Sequence, residues 1–233
     1  ADKVIPPIAP PADTPWVKRF KLQSPMLTKF WGRPVYLGAT VLLPRDYDRE
    51  TMSYPVLYDQ GHFSTGVPLR FDPEFKPSER QPYNISQDWM KADFPKMVVV
   101  TFQHPTPYYD DSYAVNSVNV GPYGDAIMQE LIPEVEKRFR VLREPYARVL
   151  SGGSTGGWES LALQIFHPDF FGGTWSSCPD SVTFSDVEGI NIYKDTNAFY
   201  KTNANGWLKV PTINSREVNG QVRQTSEQRN RFE

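Results

Sequence analysis

The sequence predicts an α/β protein with a mostly parallel central sheet and helices on both of its faces. Three observations carry that reading. Strand-like and helix-like segments alternate along most of the chain, the pattern of a sheet whose crossovers are helical. The run Met97 to Phe102 (MVVVTF) is apolar almost without interruption, as a strand covered on both faces should be. Residues 146–168 (YARVLSGGSTGGWESLALQIFHP) read as strand, tight small-residue turn and a helix from Trp158 to Phe166.

The elements follow in order. Residues 1–15 hold five prolines and no initiator Met, and we expect an extended arm there, as at a mature end left by removal of a signal peptide. Secretion or a periplasmic location is therefore expected. Trp16 to Leu22 alternates as a first strand. Pro34 to Leu43 is a stronger one, closed by Pro44-Arg45-Asp46. Tyr54 to Tyr58 is a short apolar strand that runs into Asp59-Gln60-Gly61-His62-Phe63, and a polar, proline-rich loop spans 64–82. A helix is expected over 85–92. Asp125 to Phe139 carries the clearest helical stripe, with Ile127, Leu131, Val135 and Phe139 at i+4 spacing. Glu134 can pair with Arg138 and Glu136 with Arg140, and Pro133 should kink or restart the helix. Gly173 to Cys178 is a further strand. Beyond Asp186 the period fades into a polar stretch, so we expect a core over 16–186 and an irregular extension over 187–233.

Composition removes several function classes. A formal charge of −2 with no basic block argues against a nucleic-acid partner. No run approaches the roughly 18 apolar residues of a membrane span. The single cysteine, Cys178, allows neither an internal disulfide nor a cysteine-based zinc cluster.

The chemistry concentrates at Ser154, flanked by Gly152 and Gly156. Gly-x-Ser-x-Gly alone is weak, but here a strand precedes it and a helix follows. A serine on that sharp turn presents its hydroxyl at the sheet's C-terminal edge. The amide of Thr155, near the N-terminus of the new helix, can help hold a developing oxyanion. Two other glycine-loop readings fail: Trp158 follows Gly156-Gly157 where a phosphate loop needs Lys, and a dinucleotide fingerprint would need glycine at Ser151.

With YPVLYDQGH, YGDAIMQELIPEVEKRF, SGGSTGGW and HPDFFGGTWSSCPD in view, the chain resembles the serine esterase family of the α/β-hydrolases over about residues 35–180. That family includes esterase D (S-formylglutathione hydrolase), enterochelin esterases and mycolyltransferases. The resemblance implies an α/β-hydrolase fold, a Ser154 nucleophile, no cofactor, and a second oxyanion donor from the backbone N–H of His62, just past Gly61.

The catalytic base is harder to place. The chain has three histidines. His167 lies about 20 Å along the helix from Ser154 at 1.5 Å per residue. His104 follows a strand two places away in the expected sheet order, and it fits a substrate contact or packing better than a base. The His62 side chain is a weak candidate. Asp180 follows the strand after the elbow, where some hydrolases of this fold carry their acid, yet the resemblance implies acid and histidine after two further strands. We therefore expect the second half of the triad, and the C-terminal strands of the sheet, to lie beyond residue 233.

Asp110, Asp111, Asn116, Asn119 and Asp125 match no EF-hand spacing, and no metal is expected. Tyr108, Tyr109 and Tyr113 follow the strand end where open α/β sheets bind ligands, so with His104 and Trp158 they are candidate substrate contacts. The expected activity is ester hydrolysis or acyl transfer through an acyl-Ser154 intermediate, on a small-molecule, glycan or lipid ester. A non-catalytic binding protein of the same fold is the alternative.

Overall fold

The computed structural model describes residues 11–62, 66–187, 190–202, 205–206 and 209–230. The first ten residues of the expected arm lie outside these. Two compact units are present, one ending at Asp180 and the other running from Ser181.

The first unit is built on six strands: β1 (Val17–Gln23), β2 (Tyr36–Leu42), β3 (Val56–Gln60), β4 (Val98–Gln103), β5 (Arg148–Gly153) and β6 (Gly173–Ser177). Their order across the sheet is β1-β2-β4-β3-β5-β6. The β1–β2 and β2–β4 pairs are antiparallel, and the three pairs from β4 to β6 are parallel. Parallel pairing sends β3, β4 and β5 out at the same edge, so the turns after Gln60, Gln103 and Gly153 gather there.

The two faces of the sheet are packed unequally. Along β4, Val98, Val100 and Phe102 enter the main core, while Val99 joins a smaller cluster with Phe71 and Trp89, because successive side chains point to opposite faces. Trp89 sits on the short helix α2 (Ser86–Trp89), which ends three residues before the expected 92 and is anchored by the indole N–H donating to Leu43 O at 3.1 Å.

The helix α1 (Pro25–Trp31) is not legible as a periodic run. Ser24 caps it, accepting from Leu27 N at 3.1 Å, with Pro25 in the first turn and Gly32 left-handed at the C-cap. Ser24 is fully buried and its hydroxyl donates to Glu130, whose other oxygen accepts from Met26 N at 3.0 Å. Ser24→Ala removes both bonds and leaves Leu27 N unpaired. We expect a loss of about 1–3 kcal/mol in urea unfolding; a loss under about 0.5 kcal/mol would refute the cap's role.

The helix α3 runs as an α-helical turn (Tyr123–Ala126), a π-helical turn (Ile127–Leu131) and an α-helix (Ile132–Arg138). Pro133 falls in the first turn of the last segment, so the expected restart is a π-bulge just before it. Ile127, Leu131 and Val135 are fully buried. Glu134 does bind Arg138 at 2.7 Å, but Glu136 binds Arg148 instead, also at 2.7 Å. Arg140 lies beyond the helix end at Arg138 and places its guanidinium over Tyr47. The helix α4 (Thr155–Phe166) begins three residues before the expected Trp158, through Thr155, Gly156 and Gly157.

In the second unit, taken by itself, two antiparallel ladders (Tyr200–Thr202 with Lys209–Pro211, Ile213–Arg216 with Val222–Thr225) and a helix Ser226–Asn230 give more local structure than the polar composition suggested. No described helix is long and apolar enough to cross a membrane.

Candidate active site

Ser154 stands between β5 and α4 with φ 56° and ψ −123°, a strained conformation for a residue with a Cβ. Its neighbours show what maintains it. Asp59 and Gln60 of β3 are in register with Ser151 and Gly152 of β5, and α4 starts directly against that ladder. A Cβ on Gly156 would lie 2.0 Å from Gln60 O, and one on Gly152 would lie 2.1 Å from Gly156 O. Three backbone segments are therefore in contact at the turn, and glycine is required at both positions. The result is an exposed serine at the N-terminus of a twelve-residue helix.

The serine hydroxyl donates to Asp180 Oδ1 at 3.2 Å. Asp180 Oδ2 accepts from Thr155 Oγ1 at 2.8 Å and Tyr113 OH at 3.0 Å, and Asp180 N donates back to Ser154 O at 3.2 Å. Partial burial pushes the Asp180 carboxyl up, but the bonds from Thr155, Tyr113 and Ser154 and the nearby His62 outweigh it, so the net displacement is downward. Tyr113 itself has φ 57° and packs edge-on against Trp158, with ring centroids 5.4 Å apart. The Tyr113–Asp180 link joins residues 67 apart in sequence, and only the fold brings them together.

Tyr113→Phe deletes one donor to Asp180. The Asp180 carboxyl pKa should rise toward the ordinary carboxylate value, read by carboxyl ¹³C NMR titration. The sign follows from the depressed folded value: ionised Asp180 favours the native state above the ordinary carboxylate pKa, and that contribution disappears as pH falls through the lower folded pKa. In the variant it disappears at higher pH. An unchanged titration would show that the 3.0 Å contact carries no charge stabilisation.

The expected site residues divide into two groups. Among the described residues, no loop or cap hydrogen bond runs from the backbone N–H of Thr155 or His62. Gly156 packs under Gln60 and Gly61, so the His62 turn adjoins the start of α4. A pocket of about 450 Å³ opens beside that turn, lined by Asp59, Gly61, His62, Leu69 and Arg70 among others. Trp158 borders the Ser154 cluster through Tyr113. Tyr108 and Tyr109 are exposed, and Tyr108 packs on Trp31 of α1.

His104 belongs to neither an open wall nor the serine's hydrogen bonds. It is 3% exposed, with Nδ1 2.9 Å from Ser112 Oγ, and burial pushes its pKa down against the opposing pull of Asp111. A substrate-contact role does not fit that burial. His62 is the exposed histidine, with Nδ1 3.9 Å from Asp111 Oδ2, and His167 forms the C-cap of α4. No imidazole is hydrogen-bonded to Ser154 Oγ among the described residues.

The family model described as "Putative esterase" matches residues 36–209, three-quarters of the chain and all of the elbow. The chain belongs to this esterase family. No curated protein sequence matches it. Among solved structures, the esterase core is similar to a ferulic acid esterase, with 22% identity, a TM-score of 0.54, and 70% of this chain covered against 58% of that one. It is also similar to the substrate-bound fluorophosphonate-binding serine hydrolase F of Staphylococcus aureus, with 15% identity, a TM-score of 0.50, and 75% of this chain covered against 60% of that one. These likenesses show an α/β-hydrolase fold. The chain matches less than two-thirds of the length of either structure.

Proposed function

We propose that this protein is a serine esterase-type hydrolase or acyltransferase acting on carboxylic esters. The observation that carries the reading is the strained, exposed Ser154 on a glycine-cleared turn at the head of a helix. A serine that served only packing would not need that conformation. In this reading, Ser154 Oγ attacks the ester carbonyl and its proton passes to a base. The tetrahedral oxyanion is held by the N–H groups of Thr155 and His62, which are fixed before the reaction begins and so need no reorganisation. Collapse expels the alcohol and leaves acyl-Ser154. Water or an acceptor alcohol then attacks the acyl carbon and restores the hydroxyl.

Asp180 orients the serine hydroxyl in the resting site, but a carboxylate held below the usual pKa range is a poor proton acceptor at neutral pH. The base in this reading is an imidazole oriented by an acid, in the chain order serine, acid, histidine that the family resemblance implies. Pocket residues beside the His62 turn would receive the substrate, with small-molecule, glycan and lipid esters as the classes to test.

The test is acid quenching of the whole gene product during turnover of p-nitrophenyl acetate, followed by peptide mass spectrometry. We expect a burst of p-nitrophenol and an acetyl group on the peptide containing Ser154. Turnover with no acetyl group at Ser154, or with one on another residue, would overturn the proposal. A binding protein of the same fold would show neither burst nor adduct.

A further inference from the structure

We propose that His104, Asp111 and Glu159 form a binding site for one divalent transition-metal ion of the Zn²⁺ type. The proposal is independent of the esterase reading. The three residues come from three parts of the first unit: His104 directly follows β4, Asp111 lies in the loop after it, and Glu159 is on α4, five residues past Ser154.

Their donor atoms, one from each residue, all lie within 4.8 Å of one another. Some point is then within about 2.8 Å of all three, and small side-chain rotations reach the 2.0–2.2 Å of Zn–N and Zn–O bonds. All three side chains are buried, with Glu159 fully so. Among the described residues, no N–H or hydroxyl donor reaches either Glu159 oxygen or Asp111 Oδ2, and the two carboxyl groups face each other. Native interiors seldom leave buried carboxyl oxygens unpaired, and a carboxyl without solvent or partner is costly. A cation would satisfy all of these atoms together.

Charge agrees with this assignment. A neutral imidazole and two carboxylates balance a dication. Nδ1 accepts from Ser112 N at 3.4 Å and lies 2.9 Å from Ser112 Oγ, while Nε2 lies 3.8 Å from Glu159 Oε1; an ion on Nε2 requires the ring proton on Nδ1, where Ser112 Oγ can accept it. A second ring nitrogen held by a hydrogen-bond acceptor is the usual outer support of a metal-binding histidine. Asp111 is steadied from the other side, its Oδ1 accepting from Tyr113 N at 2.6 Å. One nitrogen and few oxygens suit Zn²⁺ better than Ca²⁺, which takes six to eight oxygens, or Mg²⁺, which keeps several waters. The ion would tie the 104–113 loop, and with it Tyr113, to the helix that carries Ser154.

The competing occupant is a proton. Burial, then the nearby Asp111, raises the Glu159 pKa to about 10, so without a cation Glu159 is protonated at neutral pH and a metal must displace that proton.

The test is titration of EDTA-stripped, dialysed protein with ZnCl₂ against a chromogenic chelator, with Co²⁺ as a spectroscopic substitute. We expect one equivalent of Zn²⁺ bound with submicromolar Kd, visible d–d absorption from the Co²⁺ form, and at least a roughly hundredfold weaker Kd in both Glu159→Gln and His104→Gln. Because either variant could misfold, the wild-type protein decides independently. No stoichiometric binding below about 10 µM, or a wild-type Kd retained in both folded variants, would overturn the site and leave a shared proton as the occupant.

Discussion

Ser154→Ala should abolish ester turnover, lowering kcat by about 10⁴–10⁶-fold in the whole gene product while leaving the fold intact. The size follows from the mechanism. Without the hydroxyl no acyl-enzyme forms, and what remains is background hydrolysis helped only by bound-state positioning and the oxyanion amides. The stability effect should be small, within about 1 kcal/mol, because Ala keeps the Cβ and leaves the left-handed φ of 56° unrelieved. The substitution does remove the 3.2 Å bond to Asp180, but Thr155 and Tyr113 still donate to that carboxylate. Steady-state turnover of p-nitrophenyl acetate together with a urea melt would measure both quantities. Turnover within tenfold of wild type would remove Ser154 from the chemistry.

Gly156→Ala should cost at least about 3 kcal/mol of stability. The added carbon would lie 2.0 Å from Gln60 O and 2.7 Å from Gly61 N, both backbone atoms of the β3 edge. Backbone cannot rotate aside as a side chain can, so α4 must lift off the sheet or β3 must leave its register with β5. Either movement also displaces the His62 amide relative to Thr155, so residual folded protein should lose serine reactivity as well. Gly61→Ala serves as the control, since a Cβ there meets nothing within 4 Å. If Gly156→Ala and Gly61→Ala melt alike, the close approach described for this turn is wrong.

The sequence made the parts of this site that are local in the chain readable. The run MVVVTF became a central strand because an unbroken apolar stretch leaves no face to show to water. The i+4 stripe of Ile127, Leu131 and Val135 became the buried side of α3 for the same reason. Ser154 could be found because its turn needs glycines at fixed offsets, and such offsets survive in a linear reading. The start of α4 was misplaced because Thr155, Gly156 and Gly157 have poor helix propensity, which close packing against β3 overrides. Helix α1 was missed because seven residues are too few to show a period, although Ser24-Pro25 at its start and Gly32 at its end are the signals that mark it.

Contacts across long sequence separations were not readable at all. Asp180 was noted for its place after a strand, but its bonds to Ser154, Thr155 and Tyr113 depend on where β6 and the 104–113 loop meet. His104 stood out as a residue near the cleft, yet Asp111 and Glu159, which surround it, have no periodic relation to it. A Glu in the helix after a nucleophile turn reads as a surface residue until the fold shows it fully buried.

The most direct test of the central claim is labelling of the folded protein with a fluorophosphonate, with the modified residue mapped by mass spectrometry. Such a probe reacts with an activated serine and phosphonylates its oxygen, so it reports nucleophile, base and oxyanion site together. The account predicts a single phosphonyl adduct at Ser154 in the whole gene product, absent in Ser154→Ala. A folded protein that takes no label, or takes it on another serine, would contradict the assignment of Ser154 as the nucleophile.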